Sequence, residues 1–447
     1  MGKLTFVKGQ GSLARPLAGE DHISGLVFYH GSLPSGFSAN DRIKQITDPI
    51  AAETLGITTD QLDETKATGG KVAITAAGAA ATTWTVTMDG VTLGTYTVQT
   101  SDTEALVAAG LRAAINAGSS GYTAAGSSAN VTLVCPSGLG NTINGGTHLV
   151  AANSGAGTAT VTQFSGGENA FFDVMHYHIA EFFRINPGAT LWVGIFAIPV
   201  SYTFTELVTM QNFVKGKIRQ FGVYMKNVAY NTLHLNSLQA RADELDVVIK
   251  NCSILYAADI TGLALTALAN VRALSDAKLS SIVGQDGANT GAALFAQKGY
   301  SITCLGAALG ATSKAKVNEN IGWVEKFNMT SDNELLVPAF AEGTLLNSMT
   351  DSAIDAVDIL GHIFIREYPN YEGKVFFNDN HACVAIDNDY AYLNDNRTMD
   401  KAIRNVYATL IPQLNGPVKI DATSGKLDGA VVKYLESLGN RSLEQME

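Results

Sequence analysis

Between residues 171 and 257 the sequence alternates two hydrophobic periods, and this restricts the fold more than any other feature. Phe171, Met175, Ile179 and Phe182 recur at helical spacing, and Asn186-Pro187-Gly188 ends the run. Residues 191–198 are almost unbroken apolar, the pattern of a strand covered on both faces. Leu207, Met210, Val214 and Ile218 mark a helix over 205–219, and 221–225 reads as a strand. Leu235, Leu238, Ala242 and Leu245 mark the next helix, and 253–257 the next strand. Such succession predicts an α/β core, a sheet with helices packed on it. Further strands are expected at 23–29, 281–283 and 302–305, with a helix at 292–297. Residues 363–368 and 374–377 pair as a hairpin around Pro369 to Gly373.

The composition turns abruptly to Ala, Thr, Gly, Ser and Val at Thr68 and turns back near Gly167. Within this stretch Trp84, Val86 and Met88 alternate with threonines, and Asp89-Gly90 supplies a two-residue hairpin turn to a return strand over 91–98. Residues 102–117 read as a helix capped by Asp102, with Leu106, Ala109, Ala113 and Asn116 along one side. Strands follow at 131–135 and 158–164. The pattern predicts a separate, small β-rich module bracketed by Gly-Gly pairs, and it resembles a β-module that recurs in phage tail proteins. Its Thr/Ser/Gly surface suits a solvated decoration, with glycan binding as the alternative.

Near the C-terminus, residues 396–411 predict a helix. Met399, Ile403, Val406 and Leu410 form an apolar face, and Arg397, Lys401 and Arg404 a basic stripe nearly opposite it. Asn and Asp at 394–396 are expected to cap its start, and Pro412 to stop it. Val418, Lys419, Ile420 and Asp421 follow as a short strand. Leu4, Thr5, Phe6, Val7 and Lys8 form another at the N-terminus, set off by Gly9-Gln10-Gly11. A terminal strand beside glycines can serve its own sheet or complete that of another subunit. Both readings stay open on the residues alone.

The totals limit the function classes. With 46% hydrophobic and 16% charged residues, the 447-residue chain can bury a core and holds two or three domains. A net charge of -11 argues against a general nucleic-acid binder. Cys135, Cys252, Cys304 and Cys383 are far apart, which fits free buried thiols rather than zinc or disulfides. The start MGKLTFVKGQGS has no apolar signal-peptide core, and no run reaches the length of a membrane span. There is no GxSxG elbow, P-loop, HExxH or GxGxxG after a strand. His176 and His178, with Asp173 and Glu181 three residues away, have metal-like spacing, yet the two rings point about 200° apart on a helix. Asp387, Asp389, Asn394 and Asp395 lack the glycine and bidentate Glu of a calcium loop, so turn and capping roles are expected. Gly306 to Gly310 has no Lys-Ser/Thr in register to make a phosphate loop. No catalytic residue, cofactor or metal is expected, and the chain is read as a non-enzyme.

Asn-Arg-Thr-Met-Asp-Lys-Ala-Ile-Arg-Asn-Val from 396, then Leu-Ile-Pro, Gly-Pro-Val and Thr-Ser-Gly-Lys-Leu, is similar to the C-terminal domain of contractile tail sheath proteins. GSLARPLAGEDHISGLVFY at 11–29 and VNENIGWVEKF at 317–327 also resemble that family, in the right order along the chain. The resemblance misses residues 68–168. It implies an α/β fold: a sheath-type core of mixed sheet with flanking helices, carrying the inserted small β-rich domain. Residues 1–67 would be the N-terminal arm and first part of the core, and 169–375 the rest of it. Residues 376–447 would be the inner C-terminal domain with its arm.

The same resemblance implies a structural subunit that stacks as six-membered rings around a tail tube and contracts to drive the tube through an envelope. Partners would be further copies of itself, the tail tube, the baseplate and the tail terminator, with no nucleic acid and no membrane insertion. Assembly would take place in the bacterial cytoplasm, and the product would reside in the tail of a virion or injection particle. Terminal strands at 4–7 and 418–421 would be exchanged between subunits. Arg397, Lys401 and Arg404 would face an acidic tube, or else form a solvated face with Asp400 paired to Arg404. A static tail protein, such as a tube or terminator component, and an α/β hydrolase-like enzyme are the alternatives.

Overall fold

A computed structural model describes residues 19–60, 63–420, 424–444 and 446. The chain divides into two compact units: Met1–Ile57 with Val174–Glu447, and Thr58–Asp173. The boundaries expected at 68 and 168 fall inside the second unit. Pairing reaches beyond the first of them, where Thr65 bridges Glu168.

The first unit is built on six strands: β1 (Ser24–Tyr29), β2 (Ile43–Ile46), β3 (Leu191–Phe196), β4 (Gln220–Ala229), β5 (Ser253–Asp259) and β6 (Leu279–Ser281). Their spatial order is β6-β5-β4-β1-β3-β2. All neighbours run parallel except β2, which lies antiparallel on the edge against β3, so the sheet is mixed. β1 is central and buried along its whole length. Its alternate side chains serve opposite faces. Val27 and Tyr29 join the cluster containing Leu207 and Met210 of helix Thr205–Phe213 and Leu235, Leu238 and Leu245 of helix Thr232–Val247. On the other face Phe28 approaches the ring of His178 in helix Phe172–Ile185, 6.2 Å between centroids. The unbroken apolar strands are thus explained by helices on both sides.

We number the helices used below α1 (Phe172–Ile185), α2 (Leu305–Lys314), α3 (Leu393–Leu410) and α4 (Gly429–Glu444). α2 is buried from Leu305 to Ser313. Gly306 and Gly310 form its contact with α1: a Cβ on Gly306 would stand 2.2 Å from the His178 carbonyl oxygen, and one on Gly310 2.7 Å from that of Phe182. The glycines that resemble part of a phosphate loop are there for close helix packing.

Three expected elements differ. Residues 302–305 are no strand, because their backbone donors are taken elsewhere: Ile302 N–H donates to Gln285 Oε1 at 2.9 Å and Cys304 N–H to Gly284 O at 2.7 Å. The helix expected over 205–219 stops at Phe213, where Lys215 and Gly216 turn with φ of 57° and 75°. Helix α3 starts at Leu393, so Asn394, Asp395 and Asn396 lie in its first turn and do not cap it. Asn396 anchors that turn instead, its amide donating to Ala277 O at 2.8 Å.

The second unit holds two antiparallel sheets and one helix, Glu104–Ala117. Trp84, Val86 and Met88 face its core as the alternation requires, and Trp84 Nε1–H donates to Ala77 O at 2.8 Å. Asp89 and Gly90 adopt φ of 49° and 79°, the left-handed pair of a tight hairpin. The helix is capped by Thr103, and its buried stripe is Val107, Ala108, Leu111 and Ile115, while Leu106 is exposed. Asp102 is occupied one residue earlier, accepting from Gln99 N–H at 2.7 Å and Tyr96 O–H at 2.8 Å, which turns the helix relative to the expected stripe.

Candidate functional site

Helix α3 is amphipathic as expected, but the face that packs on the chain is the charged one. Arg397 is 4% exposed; its guanidinium donates to Ala315 O at 3.2 Å and Lys316 O at 3.4 Å. Lys401 lies 2.9 Å from Asp21 and Arg404 3.5 Å from the same carboxylate. Asp400 is buried against Lys278, which also pairs with Asp246 at 3.2 Å. Arg219 and Lys217 hold Glu20 beside them. The physical reason is the surface under α3. It presents the Asp21 carboxylate, the Lys278 ammonium and the carbonyls of Ala315 and Lys316, so a charged face satisfies groups that an apolar face would strand.

The arrangement moves the charges of these groups. Burial alone would raise the Asp21 carboxyl, and the Lys401 hydrogen bond with the charges of Lys401, Arg404 and Arg397 outweighs it and holds it below its ordinary value. Burial lowers Arg397 to about 10, and burial with the neighbouring Arg219 charge lowers Arg404 to about 10. Burial raises the Asp400 carboxyl, opposed by Lys278. In the single chain these three cations are engaged with groups of the chain itself, and a contact with a tube through them would first have to break those pairs. Asp21 is the partner that sequence reasoning missed. It stands 380 residues from Lys401, and only its place in the acidic Gly-Glu-Asp-His before β1 hinted at a role.

The opposite face of α3 is left open. Met399, Ile403, Tyr407, Ile411 and Leu414 are all exposed, Tyr407 by 48% and Leu414 by 67%. α4 packs along α3, and together with Ile249 they form an apolar groove of about 740 Å3, with Leu435 and Leu443 on the α4 side. Monomeric surfaces rarely carry so continuous an apolar patch without an occupant. Between the helices, Val418, Lys419 and Ile420 do not form the expected strand. Ile420 makes one antiparallel bridge with Leu427, and Asp428 N–H donates to Lys419 O at 3.0 Å, both within the same chain. Leu4, Thr5, Phe6 and Val7 lie outside the described residues, as does Asp421.

The residues with catalytic or metal-like spacing are dispersed. His176 meets Glu53 at 3.1 Å, whereas His178 is wholly buried beside Tyr224, and burial lowers its pKa to about 3. Glu181 pairs with Arg184 at 2.6 Å. Asp387 and Asp389 sit on an exposed turn, away from Asn394 and Asp395 in the first turn of α3. Among the described residues no group of three His, Cys, Asp or Glu side chains is placed to hold a metal ion, and no helix is long and apolar enough to cross a membrane. The four cysteines are buried and free, and burial raises Cys252 to about 12. One Ser–His pair does occur: Ser281 Oγ lies 2.9 Å from His362 Nδ1, and His362 Nε2 donates to Ala269 O at 2.9 Å. Both residues are fully buried, and burial lowers His362 to about 4, so no substrate reaches that hydroxyl without opening the fold.

Residues 389–447, which include α3 and α4, match the family described as "DUF2586, C-terminal domain". No curated protein matches the chain. Among solved structures the chain is similar to the contracted helical sheath of the anti-feeding prophage, at 15% identity and a TM-score of 0.40, over 60% of this chain and 65% of that one. It is also similar to a chain of the six-fold symmetrised baseplate of the anti-feeding prophage, at 13% identity and a TM-score of 0.38, over 61% of this chain and 64% of that one. The chain thus spans less than two thirds of either structure.

Proposed function

We propose that this protein is a structural subunit of a contractile particle, polymerising with copies of itself into a sheath around a tail tube. The observation that carries the reading is the open apolar groove between α3 and α4, on a helix whose charged face is already used within the chain. A helix packed this way round is half finished: covering its outer face needs another subunit. The sequence resemblance to contractile tail sheaths supports the same reading, and so does the lack of any open catalytic constellation among the described residues. In this reading contraction is a change of packing between subunits, with no bond chemistry. Six-membered rings, attachment to a baseplate and residence in a virion or injection particle follow from the resemblance and belong to the proposal.

The terminal segments supply a test. A segment that completes a neighbour's sheet gains its backbone hydrogen bonds only in the polymer, whereas one in its own sheet stabilises the monomer. Deletion of residues 1–8 is expected to leave the melting temperature of dilute protein nearly unchanged and to remove pelletable polymer. A large fall in melting temperature with polymer still pelleting would place these residues in their own subunit and refute the exchange.

A further inference from the structure

A second cleft, of about 760 Å3, opens where the end of α2 meets α3. Lys314, Lys316 and Lys401 line it with His22, and Val317 and Met446 add apolar surface. Its one carboxylate among the described residues, Asp21, is already held by Lys401 and Arg404. Arg397 lies directly beneath, donating to the 315 and 316 carbonyls. Lys314 has no ion-pair partner among the described residues, and Glu319, whose charge also acts on Lys316, is paired directly with Lys326. In a chain of net charge -11 this is a locally basic cleft, in which the Lys314 and Lys316 ammonium groups have no direct ion pair among the described residues.

The same chain displays an exposed acidic turn of complementary charge. Residues 385–390 are exposed throughout and read Ala-Ile-Asp-Asn-Asp-Tyr. Asp387 and Asp389 have no hydrogen bond or ion pair within the described residues, and Ile386 is 57% exposed between them and the core. The segment is nonetheless held in shape. Asn388 N–H donates to Ala385 O and Ala391 N–H to Asn388 O, both at 3.0 Å, and Tyr390 N–H donates to the Asn388 side chain at 2.9 Å. A rigid knob with two carboxylates flanked by Ile and Tyr loses little entropy on docking.

We infer that residues 385–390 of one copy dock into the Lys314–Lys316–Lys401 cleft of another. Asp387 and Asp389 meet the Lys314 and Lys316 ammonium groups, and Ile386 or Tyr390 packs toward Met446. The inference rests on the reading that copies of this chain polymerise, and it names one contact of that polymer. A contact of this kind fixes which neighbour binds and in what register more than it adds affinity.

The test is a charge-swap cycle on the full chain, read by the critical concentration for pelleting at low and high salt. Lys314→Glu with Lys316→Glu, and separately Asp387→Lys with Asp389→Lys, are each expected to raise the critical concentration at least tenfold at low salt. The four substitutions together are expected to recover most of that loss. The milder pair Lys314→Gln with Lys316→Gln shifts it less and in the same direction, which keeps the test open if a reversal fails to fold. No effect of either pair, or no recovery in the combined variant, overturns the contact while polymerisation itself stands. Loss on the lysine side alone means that a different acidic partner fills the cleft, which also overturns the pairing. Wild-type protein that never polymerises overturns both the contact and the functional reading.

Discussion

Gly306→Ala is expected to destabilise the first unit by about 2 kcal/mol, and Gly306→Ala with Gly310→Ala by about twice that. The added methyl at 306 would sit 2.2 Å from a backbone oxygen and 2.7 Å from the Cα of His178, neither of which can rotate away. Overpacking of this kind costs about 1–3 kcal/mol and sometimes more, against the roughly 1 kcal/mol that Ala gains over Gly in a helix. The loss is large relative to the typical 5–15 kcal/mol that holds a fold, here approximated as for one cooperative unit. Gly439 is the internal control: it lies in helix α4 with nothing within 4 Å of its absent Cβ. There the same change is expected to stabilise, by at most about 1 kcal/mol. Thermal unfolding of the three variants checks both signs. Equal effects at 306 and 439 would show that the α1–α2 contact is looser than the structure has it.

The larger effect on assembly is expected from the groove. Tyr407→Asp with Leu414→Asp places two carboxylates on a surface that is apolar and open in the single chain. In the monomer both side chains face solvent, so stability is expected to change by only about 0.5 kcal/mol. In the polymer each loses the roughly 1.5–3 kcal/mol that burying an apolar side chain supplies, and each carboxylate adds a desolvation cost. A combined loss of about 3 kcal/mol or more corresponds to roughly a hundredfold weaker association. Sedimentation of the variant beside wild type is the measurement. Polymer of unchanged critical concentration would mean that the groove faces solvent in the assembled particle, and the proposal would lose its main support.

How much of this was legible in the sequence differs by region. The central sheet was, because apolar runs at 191–198 and 253–257 set between helical stripes have few other solutions than strands covered on both faces. Trp84, Val86 and Met88 were legible for the matching reason, a period of two ending in Asp-Gly. The face that α3 presents to the chain was not. Periodicity found both faces of that helix correctly, but it carries no information about what lies beneath. The deciding groups, Asp21, Lys278 and the carbonyls after α2, are 80 to 380 residues away. The hydrophobic rule then points the wrong way, since here the buried charges have partners and the apolar side chains wait for one. The glycines of α2 were visible as a spacing and misleading as a motif: only the approach of α1 tells a packing notch from a phosphate cradle. The helix at 104–117 was found but rotated, because Asp102 was already committed to Tyr96 and Gln99 and the cap moved on to Thr103.

The central claim is self-assembly into a sheath, and negative-stain electron microscopy of the purified wild-type chain at high concentration tests it most directly. Hollow cylinders of stacked rings with six-fold end views are expected, absent from the Tyr407→Asp, Leu414→Asp variant under the same conditions. A field of small uniform particles from both proteins, at concentrations where the wild type is fully folded, would contradict the account.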